Sequence, residues 1–151
     1  MRSDKIYFVR LVIQRVEGAC VKVADTNEIV GQIGNGLMVL VGVKKSDELK
    51  DAEVLAEKLS KLRVMADENG KMNLSASSFL VVSQFTLYAD TKDGNRPSFI
   101  HAALPDDAKK IYEYFVGELK KRHSRVETGS FGDYMEIEAN LDGPVTIILE
   151  S

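Results

Sequence analysis

Two short segments hold the residues on which chemistry could depend, and the first follows a buried hydrophobic run. Ser83, Gln84 and Thr86 come directly after the apolar residues 79–82, so that two hydroxyls and an amide stand where a strand ends. Ligands of α/β proteins bind outside the carboxyl ends of strands. The pattern also fits a strand that is merely capped by a loop. The residues alone therefore indicate a candidate site without assigning a reaction.

The second segment is Asp142-Gly143-Pro144-Val145-Thr146. Asp-Gly is a strong turn signal, and proline is tolerated at the first residue of a strand. Only about 5–6% of X-Pro bonds in folded proteins are cis, so the local residues favour an ordinary turn with a trans bond. The isomer of the Gly143–Pro144 bond is not decided by the sequence.

Several other chemistries find no support in the sequence. It contains no Gly-rich phosphate loop, no H-E-x-x-H and no G-x-S-x-G motif. His101 and His123 are the only imidazoles, and solvated or locally bonded histidines explain both. The single Cys20 with two histidines excludes a Cys/His zinc cluster. We therefore predict neither a metal nor another cofactor.

A basic cluster near the middle of the C-terminal third is open to two interpretations. Cations are favoured at helix C-termini, and they also bind RNA phosphates. The cluster consists of Lys120, Lys121, Arg122, His123 and Arg125.

Hydrophobic periodicity predicts an α/β fold with a mixed sheet and two main helices. Helical spacing of apolar residues follows Ser46, the predicted cap, and again follows Pro105. Gly18 is predicted to separate the first two strands, and residues 140–143 are predicted to form the turn of a C-terminal β-hairpin. The predicted strands are residues 6–16, 19–23, 29–33, 37–43, 63–65, 79–84, 133–139 and 144–150.

Length and charge are those of an ordinary globular domain. The chain has 151 residues, with 20 Lys+Arg against 23 Asp+Glu and a net charge of −3. We expect one domain, residues 1–151. No signal-peptide core or membrane span is evident, so we expect a cytoplasmic protein with no membrane partner.

Taken together, the motifs resemble the D-aminoacyl-tRNA deacylase family over nearly the whole chain. The Ser-Gln-Phe-Thr-Leu and Gly-Pro-Val-Thr pair, about sixty residues apart in this order, is specific to that family. The matching segments are residues 12–16, 36–43, 70–74, 81–87, 96–99, 128–129 with Phe131 and Met135, and 142–146.

The resemblance implies a layered α/β/β homodimer that hydrolyses the ester of D-aminoacyl-tRNA without a cofactor. A cis Gly143–Pro144 bond would enter the partner's pocket and hold the substrate's amine, so that an L side chain would strike the backbone. Glycyl-tRNA, which has no side chain to reject, would be accepted as well. Such a gate rejects substrates by steric conflict.

The same resemblance assigns residue roles. Ser83, Gln84, Phe85 and Thr86 would line the catalytic pocket, with Thr86 as a nucleophile ranked below the substrate's own ribose hydroxyl and water. Arg15 would brace the Gly143–Pro144 segment. Phe131 and Met135 would form the terminal adenosine pocket, although core packing explains them equally well.

Departures from the family leave two other functions open. Leu141 stands where the family usually has Asn, and Asn140, one step earlier, faces the opposite side of a regular strand. The loop at residues 75–78 is shorter than usual, and about eight residues precede the usual first strand. The alternatives are a relative whose main substrate is glycyl-tRNA mischarged on alanine tRNA, and a non-catalytic module that binds the tRNA 3′ end.

Overall fold

A six-stranded mixed sheet carries the site in the computed structural model, which describes residues 8–151. Its strands run in the order β2-β1-β3-β6-β7, and β8 pairs with the remaining edge of β1. The β3–β6 and β6–β7 pairs are parallel, and the pairs of β1 are antiparallel. The elements are β1 Arg10–Val23, β2 Glu28–Ile33, β3 Gly36–Gly42, α1 Leu49–Lys61, β4 Met65–Ala66, β5 Met72–Leu74, β6 Ser78–Ser83, α2 Pro105–Lys120, β7 Arg125–Thr128 and β8 Met135–Glu150. The predicted mixed sheet with two main helices is confirmed.

The central strands β3 and β6 are buried on both faces, as their continuous apolar runs predict. The helices cover one face, where Phe79 and Phe115 are fully buried in the larger core. Toward its other face the sheet is so strongly curved that β2, at one end of the strand order, comes close to β7, at the other end. A Cβ on Gly31 would lie 2.4 Å from the carbonyl oxygen of Thr128, so this close approach requires glycine.

The prediction of two separate N-terminal strands was wrong, because β1 runs unbroken from Arg10 to Val23. Gly18 stays within the strand and is paired with Asn140, at a point where the register against β8 shifts. The strand is held on both sides, which keeps it extended through the glycine. Ile6, in the predicted first strand, lies outside the described residues.

The predicted C-terminal β-hairpin was also wrong. β8 is one strand that pairs antiparallel with β1 along its whole length. Gln14 faces Thr146 while Val16 faces Leu141, so residues 142–145 form an irregularity without reversing the chain. Proline donates no backbone hydrogen bond and Gly143 has a φ of +116°, which interrupts the ladder locally.

The second helix begins at Pro105 as predicted, but the first begins later than predicted. Ser46 has a φ of +74° and does not cap α1. Glu48 is the cap, and its amide donates to Asp51 Oδ2 at 2.7 Å in a reciprocal capping box. Neither this helix nor any other between residues 8 and 151 is long and apolar enough to cross a membrane.

Candidate active site

An apolar cavity of about 690 Å³ opens where β6 ends. Gln84 follows the strand, and its backbone N–H donates to Val41 O at 2.8 Å. Residues Phe85–Tyr88 then form a single turn of 3-10 helix. Ser83, Gln84 and Phe85 therefore reach the cavity from its floor. The remaining lining residues are Val41, Val43, Val82, Phe99, Ala102, Ala103, Leu104, Pro105, Ala108, Phe131, Gly132, Asp133, Tyr134, Met135 and Ile137.

Phe131 and Met135 are brought to the same cavity by the segment that joins β7 to β8. The amide of Ser130 donates to Met135 Sδ at 3.3 Å, which ties the segment back on itself. The Phe131 ring lies 5.7 Å from the ring of Tyr112. Burial raises the pKa of the Tyr112 phenol, so it stays protonated and donates to Val81 O at 2.9 Å.

Sequence reasoning missed the wall opposite the strand end. Phe99 packs edge-on against Phe85 with 5.0 Å between the ring centroids, and residues 102–105 and Ala108 continue this wall. Phe99 belongs to residues 96–99, which match the family, and this match could have identified it as a site residue. Tyr134 and Ile137 line the cavity too, and no sequence signal marked them.

Thr86 is exposed and lies just outside the lining. Its hydroxyl accepts a hydrogen bond from the Gln84 side-chain amide. Within the described part of the chain, no histidine, carboxylate or lysine hydrogen-bonds to this hydroxyl. An amide donor cannot remove a proton from a hydroxyl, so this arrangement supplies no base for a nucleophilic threonine.

Arg10 holds the turn that follows Gln84, a role that sequence reasoning also missed. Its Nη1 donates to Leu87 O at 2.9 Å and its guanidinium lies 4.8 Å from the centre of the Tyr88 ring. Its Nε contacts Glu150 Oε1 at 3.0 Å. The turn is thereby fixed to both β1 and β8.

Gly143 and Pro144 are not brought to this cavity. Their peptide bond is cis and both residues are exposed. Arg15 Nε lies 3.2 Å from Asp142 Oδ2 and donates to Asp142 O at 3.3 Å, while Arg15 Nη1 donates to Val64 O at 2.9 Å. The Arg15 side chain, which is only 12% exposed, thus holds the segment next to Gly143.

The histidines and most of the basic cluster are engaged elsewhere. His101 Nε2 lies 3.1 Å from Asp90 Oδ2, and the His123 ring lies 4.7 Å from Phe79. The buried Glu118 binds Lys121 at 2.6 Å and Arg122 at 3.9 Å. Lys120 forms no ion pair with the residues from 8 onward. No group of three His, Cys, Asp or Glu among those residues could hold a metal ion.

Comparison with known proteins shows the family to which the chain belongs. A model of the D-Tyr-tRNA(Tyr) deacylase family matches residues 12–150. The D-aminoacyl-tRNA deacylase of Thermosipho africanus is 51% identical over 147 residues, which cover 95% of this chain and 97% of the relative.

Solved structures show the same fold. The c-Myc DNA Unwinding Element Binding Protein superposes with a TM-score of 0.87 at 39% identity, covering 94% of this chain and 98% of that one. A probable eukaryotic D-amino acid tRNA deacylase shares the fold, with a TM-score of 0.83 at 15% identity and coverage of 95% and 100%. The resemblance in the sequence is confirmed, and the chain belongs to the D-aminoacyl-tRNA deacylase family of hydrolases.

Proposed function

We propose that this protein hydrolyses the ester between a D-amino acid and the 3′-terminal ribose of tRNA. One observation carries the proposal: a single apolar cavity gathers Ser83, Gln84 and Phe85 with Phe131 and Met135. An apolar cavity with few polar groups at one end suits a planar base with a reactive ester beside it. Phe131 and Met135 are the proposed contacts of the terminal adenine.

Water is the proposed nucleophile. It adds to the ester carbonyl carbon, the ester C–O bond breaks, and the ribose oxygen leaves as a hydroxyl, so that the products are the free D-amino acid and tRNA. The backbone amides of Phe85 and Thr86 donate to no carbonyl of the described residues; Phe85 lines the cavity, and Thr86 follows it just outside the lining. Such amides can stabilise the negative charge that develops on the carbonyl oxygen. The substrate's neighbouring ribose hydroxyl can orient the water.

Handedness is proposed to come from the Gly143–Pro144 segment of a second copy of the chain. Within one chain this segment lies outside the cavity, so the two can cooperate only across an interface between copies. Backbone that stands against the substrate's Cα admits a hydrogen there and excludes a side chain. A D side chain then points away from the backbone whatever its size, whereas an L side chain collides with it.

The exposed face of β8 supports a homodimer. Leu141 is 50% and Ile148 61% exposed, on the same strand as the exposed Pro144. Large apolar side chains on an exposed strand are typical of a surface that another chain covers. In the proposed dimer each copy supplies a cavity and receives the partner's Gly143–Pro144 segment.

Turnover of matched substrates tests the proposal. Purified protein is incubated with D-tyrosyl-tRNA, L-tyrosyl-tRNA and glycyl-tRNA, and release of the amino acid is measured. We expect hydrolysis of the D-tyrosyl and glycyl esters and only the uncatalysed rate with the L-tyrosyl ester. Equal rates of hydrolysis of both tyrosyl esters would contradict the proposal that the Gly143–Pro144 segment selects by handedness. Binding of tRNA with no turnover of any ester would support the non-catalytic module instead.

A further inference from the structure

A second groove lies beside the cavity and shares one wall with it. This groove, here called the α2 groove, has a volume of about 550 Å³. Phe131 lines both spaces, with the apolar cavity on one side and the α2 groove on the other. The other lining residues are Lys109, Tyr112, Glu113, Val116, Gly117, Lys120, Thr128, Gly129 and Ser130.

Helical spacing explains why one face of α2 lines the groove. Residues 109, 112, 113, 116, 117 and 120 recur at intervals of three and four, so they share a face of the helix. Lys109 and Lys120 are eleven residues apart, which places them about 16 Å apart along the axis, one at each end of the groove. Between them, Gly117 is exposed, and a Cβ there would meet nothing within 4 Å.

The charge of the groove is opposite to that of the whole protein. The chain carries a net charge of −3, yet the groove is lined by two lysines and one glutamate. Lys109 is 4.0 Å from Glu113, and both side chains are more than half exposed, so their attraction is weak. Lys120 forms no ion pair with the described residues, in contrast to the neighbouring Lys121, which binds Glu118. Both lysines are thus available to an anion.

We propose that the α2 groove binds the phosphate backbone of the single-stranded 3′ end of tRNA, immediately before the adenosine that enters the cavity. The inference rests on the proposed function, because a terminal adenosine stacked at Phe131 requires its strand to leave past that ring. Lys109 and Lys120 pair with phosphates at the two ends of the groove. The exposed helix surface at Gly117 leaves room for the strand between them.

Substrates of different length distinguish the contribution of the α2 groove from that of the cavity. The double variant Lys109→Gln/Lys120→Gln is assayed with D-tyrosyl-tRNA and with the D-tyrosyl ester of adenosine, which reaches only the cavity. Counterion release gives about fivefold per phosphate contact near 0.1 M salt, so the loss of two contacts is expected to lower kcat/KM for the tRNA about 25-fold. The slope of log kcat/KM against log salt is expected to shrink by about 1.4. The adenosine ester should be hydrolysed at the unaltered rate.

Gly117 offers a second variant that does not depend on removing a lysine. Gly117→Glu and Gly117→Gln both replace a helical glycine with a better helix former that meets open space. Only the glutamate places a negative charge between the proposed phosphates. We expect Gly117→Glu to raise KM for D-tyrosyl-tRNA at least fivefold more than Gly117→Gln does, with little change for the adenosine ester.

Lys58→Gln, an exposed lysine on α1, serves as the matched control and should leave both substrates unaffected. Binding of uncharged tRNA is measured in parallel, so that a wrong proposal about the activity can be distinguished from a wrong proposal about the α2 groove. A wild-type protein that hydrolyses neither ester but binds tRNA through Lys109 and Lys120 would overturn the proposed function and uphold the groove. The groove is overturned if the variants match wild type on tRNA, or if activity toward the adenosine ester falls equally.

Discussion

The end of β6 and the middle of β8 carry the two matching motifs, and they are built in opposite ways. Val81 and Val82 of β6 are buried, and the chain that follows them is fixed to β3 through Gln84 and to β1 through Arg10. Gly143 and Pro144 of β8 are exposed and lie in a gap of the pairing with β1, where the Arg15 side chain holds the preceding Asp142. The first region is a concave surface that one chain completes with its own walls. The second is an exposed surface, and the partner proposed for it is a second copy of the chain.

The two regions share a single structural support. Arg10 and Arg15 are five residues apart on β1, so their side chains emerge from opposite faces of the strand. Arg10 binds the turn behind the cavity, and Arg15 binds the segment beside Gly143. One strand therefore sets the positions of both motifs, although they are far apart in sequence. Substitutions in each region should separate their contributions.

The largest expected effect comes from Gly143→Ala. A Cβ at φ +116° is strained and would lie 3.0 Å from Val145 Cγ2 and 3.1 Å from Val145 N, so the backbone beside Pro144 must shift. A displacement of about 1 Å at a positioning element can lower the rate about a hundredfold. We expect a loss of that order in kcat/KM for D-tyrosyl-tRNA, measured by release of the amino acid.

Gly70→Ala is the matched control, because Gly70 also has a positive φ, +77°, but lies in the β4–β5 turn with open space around it. It should leave activity unchanged. A mixture of Gly143→Ala with the cavity-filling Met135→Trp should regain activity if the two regions meet between copies. Full activity of Gly143→Ala alone would show that β8 contributes no gate.

Arg15→Gln is expected to have an intermediate effect. It removes the ion pair with Asp142 and weakens the hydrogen bonds to Asp142 O and Val64 O. Hydrogen bonds of charged groups contribute about 1.5 kcal/mol at the low end of their range, which applies here because Gln weakens these bonds without removing every donor, and which corresponds to about a tenfold loss. The measurement is the ratio of D-tyrosyl to L-tyrosyl turnover, which we expect to fall because the gate is less firmly held.

Arg10→Gln is the variant to compare with Arg15→Gln. It loosens the turn behind the cavity, so it should lower turnover of D-tyrosyl-tRNA while preserving the ratio of the two tyrosyl substrates. If both arginine variants change turnover and ratio alike, the two regions do not have separate roles, and the division between cavity and gate is wrong.

The buried parts of this fold were predictable and the irregular ones were not. A continuous apolar run identifies β6, and Pro105 marks the start of α2, because each signal is local. Residues 140–143 have the composition of a turn, yet the chain forms a local irregularity and continues in the same direction along β1. The difference lies in β1, which stays extended past Gly18 and offers β8 a partner along its full length. That information is held more than a hundred residues away.

The site shows the same division. The floor residues Ser83 and Gln84 are found from the sequence because polar residues end a buried strand. Phe99 and Tyr134 reach the cavity only because separate loops fold over it. Ser46 is a good cap by residue type, but the reciprocal bonds of Glu48 and Asp51 start the helix elsewhere. Pairwise contacts between residues, rather than residue types, decide these positions.

Thr86→Ala is expected to have the smallest effect and decides how the cavity works. The Thr86 hydroxyl receives a bond from the Gln84 amide and meets no base in the described part of the chain, so water should be the nucleophile. Losing one neutral hydrogen bond costs about 1 kcal/mol, so kcat should fall less than about fivefold. Removal of a true nucleophile lowers kcat about a millionfold. Thr86→Ser, which retains the hydroxyl, is the comparison: similar rates for both variants support water, whereas activity confined to the serine variant would make Thr86 the attacking group.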